Sequence, residues 1–130
     1  MKNKVEFLIE TDIILSHLKQ EDESFLSDLE IAMIKGDCFT SAITAAEIYF
    51  ENYSDDEKAA VDSVLYSLKV LGIHPRYSLN ISEFFNKVAS PRDAIICSLA
   101  KFNKLSIVTL EVEKFIKSGL NIISPLELRG

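Results

Sequence analysis

Phe7-Leu8-Ile9-Glu10-Thr11-Asp12-Ile13-Ile14 is the stretch on which the fold turns. Val5 to Ile9 is an apolar run too short to be a helix and suited to a strand. The polar turn Glu10-Thr11-Asp12 then leads into an amphipathic segment, which predicts a helix from about Asp12 to Lys19. The same succession recurs downstream. A strand is predicted over Cys38 to Ala42 with a helix over Thr44 to Asn52, and another strand over Leu105 to Thr109 after a helix over Pro91 to Phe102.

Between these lie a helix from about Glu23 to Lys35, stopped by Gly36-Asp37, and a longer one from Asp55 to Leu71, ended by Gly72. Ala59, Leu65, Leu68 and Val70 are its inward candidates. Ile73 to Arg76 reads as a brief extended element, Ile81 to Val88 as a helix or turn, Glu113 to Ser118 as a short helix and Asn121 to Ile123 as a last strand. Strands separated by helices of this length need right-handed crossovers, so the expected class is α/β, a parallel sheet sandwiched between helices. Such sheets bind ligands beyond the carboxyl ends of their strands.

The chain has 130 residues, room for one hydrophobic core, and no linker or repeat divides it, so residues 1–130 are read as a single domain. No apolar run approaches the length of a membrane span, and Lys2, Lys4 and Glu6 spoil a signal peptide, which makes the cytoplasm the expected location. Cys38 and Cys97 lack metal-site or redox spacing and read as buried thiols; His17 and His74 have no paired motif.

The strand-to-helix junctions are acidic. Glu10 and Asp12 stand at the first, Glu47 at the second, Asp93 at the third, and Glu111 and Glu113 follow Thr109 at the fourth. Each has a structural alternative. Thr44-x-x-Glu47 matches a capping box, Ser90-Pro91-Arg92-Asp93 a capped helix start, and Asp12 a simple cap. Glu10, Glu111 and Glu113 can be solvent-exposed. Taken together, an oxygen-only cluster without histidine or thiolate suits Mg2+ or Mn2+, as one or two ions, which activate water and offset charge as a phosphodiester is cleaved.

In order and spacing, these segments resemble the PIN domain family across about 120 residues, and in particular the compact toxin ribonucleases of VapC type. The matching stretches are Phe7 to Asp12, Ser41 to Glu47, Asp93 to Ala100 with Leu105 to Thr109, and Phe115 to Glu127. The first acidic position, normally aspartate, is Glu10 here, with Asp12 at the following small polar position. Glu111 stands where aspartate or asparagine is common, with Glu113 two residues on.

The resemblance implies a metal-dependent endoribonuclease that leaves a 5′-phosphate and a 3′-hydroxyl, the toxin of a type II toxin-antitoxin pair. Glu10, Glu47, Asp93 and Glu111 would gather the ion, helped by Asp12 or Glu113, with Thr11 and Thr109 orienting the carboxylates. A VapB-like antitoxin and a homodimer are the implied protein partners. The competing expectation is a PIN-like protein with weak or absent catalysis that acts by binding protein or RNA, for which the glutamate at position 10 is the best argument.

A net charge of -6 argues against indiscriminate binding of phosphate backbones. The charge is uneven: residues 1–70 carry a net -9 and residues 71–108 a net +3. Arg76, Lys87, Arg92, Lys101 and Lys104 are therefore the candidates for RNA phosphate contacts.

Overall fold

Phe7 and Ile9 point to one face of strand β1 (Glu6–Ile9) and Leu8 to the other, and all three are buried. A strand covered on both faces belongs at the centre of a parallel sheet. The computed structural model, which describes residues 5–130, places it there. β1 pairs in parallel with β2 (Asp37–Ser41) and with β4 (Ser106–Val108). β3 (Lys69–Leu71) extends the sheet beyond β2, and β5 (Ile122–Ile123) beyond β4, giving the order β3-β2-β1-β4-β5 with every pair parallel.

The period-two alternation of β1 and β4 divides the core into two layers. Phe7, Ile9 and Val108 pack with Ile13 and Ile14 of α1 (Thr11–Lys19), Leu29 and Ala32 of α2 (Asp28–Lys35) and Ile48 of α3 (Ala42–Phe50). Val61 and Leu65 of α4 (Asp55–Ser67) complete that side. Leu8 and Ile107 face the opposite layer, built from Tyr77 of α5 (Pro75–Leu79), Phe84 of the 3-10 turn Ile81–Phe84, and Ile96, Leu99 and Ala100 of α6 (Pro91–Asn103). Phe115 of α7 (Val112–Phe115) joins them. Full burial of each large side chain contributes roughly 1.5–3 kcal/mol, so the central strand is a main anchor of the fold. The chain ends in α8 (Pro125–Arg129), where Arg129 pairs with Asp28 at 2.8 Å.

The α/β parallel sandwich expected from the sequence is the observed fold, with local corrections. The helix predicted from Glu23 begins at Asp28, because Ser27 and Glu30 form a reciprocal capping box at 3.1 and 2.9 Å that fixes the start there. The helix predicted to reach Leu71 stops at Ser67. Leu68 turns extended, and Lys69–Leu71 pair with Phe39–Ser41 as an edge strand, so Val70 and also Ala59 are exposed rather than inward. That strand replaces the extended element expected at Ile73 to Arg76, where Pro75 instead opens α5 with His74 accepting the Arg76 N–H. Cys38 and Cys97 are buried free thiols. No helix among the described residues is long and apolar enough to cross a membrane.

Candidate active site

Thr40 donates its hydroxyl to the carbonyl of Ile9 at 2.8 Å, and the backbone N–H of Glu10 donates to Val108 at 3.1 Å. These bonds hold the carboxyl ends of β2, β1 and β4 side by side. Glu10 occupies the N-cap position of α1, yet makes no side-chain capping bond; its carboxylate is directed across the sheet edge and is almost fully buried. Exposure after the strand is thereby overturned for Glu10.

The capping alternative for Glu47 fails for a similar local reason. Ser41, three residues earlier than Thr44, is the cap: its Oγ accepts the Thr44 N–H at 2.9 Å, and Thr44 lies buried inside α3. Glu47 is thus one turn further along the helix than a capping glutamate, and accepts the Thr11 hydroxyl at 2.7 Å. Ser90 does cap α6, taking the Asp93 N–H at 3.1 Å with Pro91 in the first turn. Asp93 does not return that bond. Its carboxylate is 2 % exposed and faces Arg92 and Lys114.

Arg92 is the centre of the arrangement. Its Nη1 lies 2.7 Å from Glu10 Oε2 and 3.1 Å from Asp93 Oδ1. Its Nη2 lies 2.6 Å from Glu47 Oε1, 3.1 Å from Thr11 Oγ1 and 3.2 Å from Glu10 Oε1. Lys114 Nζ stands 3.5 Å from Asp93 and 4.0 Å from Glu111. Three carboxylates from three separate elements therefore share one guanidinium, with a lysine beside them. A cleft of roughly 180 Å³ opens here, lined also by Asp12 and Glu111. A larger one of about 330 Å³, beside Phe84 and Phe85, carries no ionisable side chain.

The environment separates the carboxyls electrostatically. Burial pushes Glu10 above the usual carboxylate range, against the opposing pull of Arg92. Burial also acts to raise Glu47, but its hydrogen bonds from Arg92 and Thr11 outweigh it and hold it below that range. Burial would lower Arg92, but the bonds to Glu10 and Glu47 outweigh it and lock the guanidinium in its charged form.

Residues 7–116 match the PIN domain. The chain belongs to the PIN domain family. No curated protein matches its sequence. Among solved structures, this PIN domain is similar to DNA-bound VapBC from Salmonella typhimurium, at 20% identity and a TM-score of 0.74, covering 93% of this chain and 98% of that one. It is also similar to VapBC2 from Rickettsia felis bound to a promoter DNA fragment, at 16% identity and a TM-score of 0.72, covering 92% and 98%. A toxin-antitoxin complex from Klebsiella pneumoniae matches at 17% identity and a TM-score of 0.72, covering 92% and 97%. These likenesses are of fold.

The remaining predicted residues are distributed unevenly around the PIN cleft. Asp12 is no cap. Its Oδ2 accepts the Thr109 hydroxyl at 2.8 Å and the Leu110 N–H at 3.1 Å, while its Oδ1 is buried without a partner. Thr109 in turn accepts the Glu111 N–H at 3.1 Å, so it orients Asp12 directly and Glu111 only through backbone. Glu111 is exposed at the cleft wall; Glu113 is exposed on α7 and does not line it.

Of the basic candidates, Arg92 points inward to the carboxylates and not to a phosphate-facing rim. Arg76 stacks on Phe102 at 4.9 Å, and Lys101 pairs with Glu83. Lys87 and Lys104 are exposed, Lys104 as the left-handed C-cap of α6. Lys114 was not among the predicted residues. Its spacing of three from Glu111, one helical turn, is the signal that places it beside the fourth acidic segment.

Among the described residues, no three Asp, Glu, His or Cys side chains stand close enough together to hold a metal ion. The chemistry of the acidic side chains is nonetheless that which suits a hard divalent cation: their donor atoms are carboxylate oxygens, and the orphaned Asp12 Oδ1 leaves a buried oxygen unmet in the same cleft. In the arrangement described, the cation these groups share is Arg92.

Proposed function

We propose that this PIN domain is a divalent-metal-dependent endoribonuclease, the toxin of a type II toxin-antitoxin pair. The observation that carries the reading is the convergence of Glu10, Glu47 and Asp93 on a single cationic position beyond the carboxyl ends of β1, β2 and β4. The similarity in fold to toxin-antitoxin complexes from Klebsiella, Salmonella and Rickettsia supports the biological setting. In that setting a VapB-like antitoxin, a homodimer and a cytoplasmic location are part of the proposal.

Glu10, Glu47 and Asp93 would hold Mg2+ or Mn2+, one ion or two, with Asp12 and Glu111 lining the same cleft. Glu113, exposed on α7 outside the cleft lining, would assist the ion only through intervening water. The ion, when bound, supplies a water of lowered pKa and offsets the charge that develops on the phosphodiester. The protein's own contribution is positional. Thr11 sets the rotamer of Glu47 through its 2.7 Å hydrogen bond. Thr109 and the Leu110 N–H fix Asp12, so that its free oxygen is turned away from them. Lys114 offsets the charge of Asp93 and lies at the cleft, where an incoming phosphate needs a positive neighbour. Exposed Lys87 and Lys104 are proposed as outlying phosphate contacts; the partnered Arg76 and Lys101 are secondary to them.

The test is cleavage of structured RNAs by purified protein in Mg2+ or Mn2+, with products carrying 5′-phosphate and 3′-hydroxyl ends. Glu47→Gln and Asp93→Asn should each lower the rate by at least about 100-fold, in keeping with the loss of a group that stabilises developing charge. Cleavage that survives both substitutions refutes the site. A second reading, a PIN domain that binds protein or RNA without turnover, draws on one observation: Arg92 fills the position that the carboxylates share. Partner or RNA binding with no metal uptake and no cleavage would favour it.

A further inference from the structure

Every carboxylate that converges at the centre of the cleft does so through Arg92. The guanidinium touches both oxygens of Glu10, one of Glu47 and one of Asp93, all within 2.6–3.2 Å. It is a resident of the site by position: it directly precedes Asp93 in the first turn of α6, whose start is pinned by Ser90 and Pro91. Resting on the proposed reading that these carboxylates take a divalent ion, we infer that Arg92 and the ion are mutually exclusive occupants, so that metal enters only as the guanidinium leaves.

Geometry requires the exclusion. A guanidinium is a flat fork that holds its acceptors apart, with Glu47 on one nitrogen and Asp93 on the other. A magnesium-sized ion needs its oxygens at about 2.0–2.1 Å from one point, a far tighter gathering than the fork permits. Charge points the same way. Three carboxylates face Arg92, one of them with Lys114 at 3.5 Å, and a divalent ion seated among them in contact with the guanidinium would be repelled by it in a half-buried space.

The seat of Arg92 is also incomplete, which makes exchange feasible. Its Nε–H is buried with no acceptor, so the side chain is held by its two terminal nitrogens alone. Asp12 Oδ1 is likewise buried and unpartnered in the same cleft. One unmet donor on the resident cation and one unmet acceptor beside it are what a site built around a different cation leaves behind when the arginine occupies it. Arg92 then acts on metal affinity: the apparent dissociation constant of the ion is raised by the fraction of molecules in which the arginine is seated.

The experiment measures metal uptake directly. Mn2+ binding is followed by calorimetry and by the loss of the free-ion electron paramagnetic resonance signal, for the wild-type chain, Arg92→Met and Arg92→Lys. Arg92→Met should bind Mn2+ at least about 10-fold more tightly than the wild type, and Arg92→Lys, which keeps the charge but not the fork, should fall between them. Equal or weaker binding by both variants overturns the inference.

The wild-type chain provides a readout that does not depend on how a variant folds. Phenylglyoxal modification of Arg92, quantified by peptide mass spectrometry against Arg76 and Arg129, should increase when Mn2+ saturates the protein. Saturation that leaves Arg92 equally or less reactive overturns the inference while leaving the metal-dependent reading in place. If neither the wild type nor Arg92→Met takes up Mn2+, both fall, and parallel RNA-cleavage assays show whether any nuclease reading survives.

Discussion

Glu10 and Arg92, 82 residues apart, meet as a two-point ion pair, with Nη1 to Oε2 at 2.7 Å and Nη2 to Oε1 at 3.2 Å. The Glu10 side chain carries its carboxylate from the end of β1 to a place where it receives both prongs. Glu10→Gln should lower stability by about 1–3 kcal/mol, because a neutral amide presents only one acceptor to a guanidinium that is largely shielded from water. Glu10→Asp should cost less, drawing the carboxylate back by about 1.5 Å while keeping its charge, and, on the proposed nuclease reading, should retain cleavage. Denaturant midpoints read the first effect and RNA turnover the second. A Glu10→Gln protein as stable as the wild type would show that the fork adds no net stability.

Thr109→Val tests the junction between β4 and α1. The Thr109 hydroxyl donates to Asp12 at 2.8 Å and accepts the Glu111 N–H at 3.1 Å, so its replacement by an isosteric methyl breaks both bonds in a buried position. The expected loss is about 1–3 kcal/mol in chemical denaturation. RNA turnover should fall as well if Asp12 assists the site, whereas Val108→Ile, next to it in the core, should leave turnover within about 3-fold of the wild type.

The sheet and its acidic edge were legible because local signals agreed with the global fold. The run Phe7-Leu8-Ile9 is too short for a helix; Glu10 follows it directly, Asp93 stands in the first turn of its helix, and Glu47 lies one turn further into the helix after β2. What was not legible depended on contacts across the fold. Apolar spacing predicts the fourth helix as far as Leu71, yet it ends at Ser67 and Lys69–Leu71 pair with β2, a tertiary preference that no window of sequence displays. Ser41 and Thr44 both lie upstream of Glu47 as possible caps, and only the structure selects Ser41. Net charge by stretch of chain marks Arg92 only as a candidate phosphate contact; its direction toward Glu10 and Glu47 depends on residues 82 and 45 positions away.

Both cysteines should be silent in the native protein. Burial pushes the Cys38 thiol up to about 12, with Asp37 adding to it, and burial likewise holds Cys97 at about 12. With an ordinary value of 9.0, the unfolded chain releases these protons first. Stability from the two thiols is therefore fully present below about pH 9 and is lost as pH rises from there toward 12. At pH 8 a thiol-disulfide reagent should titrate two thiols per chain in denaturant and close to none without it, and the denaturation midpoint should fall through the alkaline range. Rapid native labelling of either cysteine would contradict the burial.

Gly36 is required by closeness of backbone and not by its dihedral angles, which are extended. A Cβ at this position would lie 2.3 Å from the Val5 carbonyl oxygen and 3.1 Å from the Phe7 ring. That carbonyl also accepts the Asp37 N–H at 2.9 Å, so it cannot retreat without breaking the bond that starts the β1–β2 ladder. Gly36→Ala should consequently destabilise the protein by about 1–3 kcal/mol through overpacking. Gly72, where a Cβ meets nothing within 4 Å, serves as the control: Gly72→Ala should stay within about 0.5–1 kcal/mol of the wild type. Amide exchange would locate the damage, with faster exchange expected at Asp37 and along β2 in Gly36→Ala, and equal denaturation midpoints for the two variants would refute the close-approach argument.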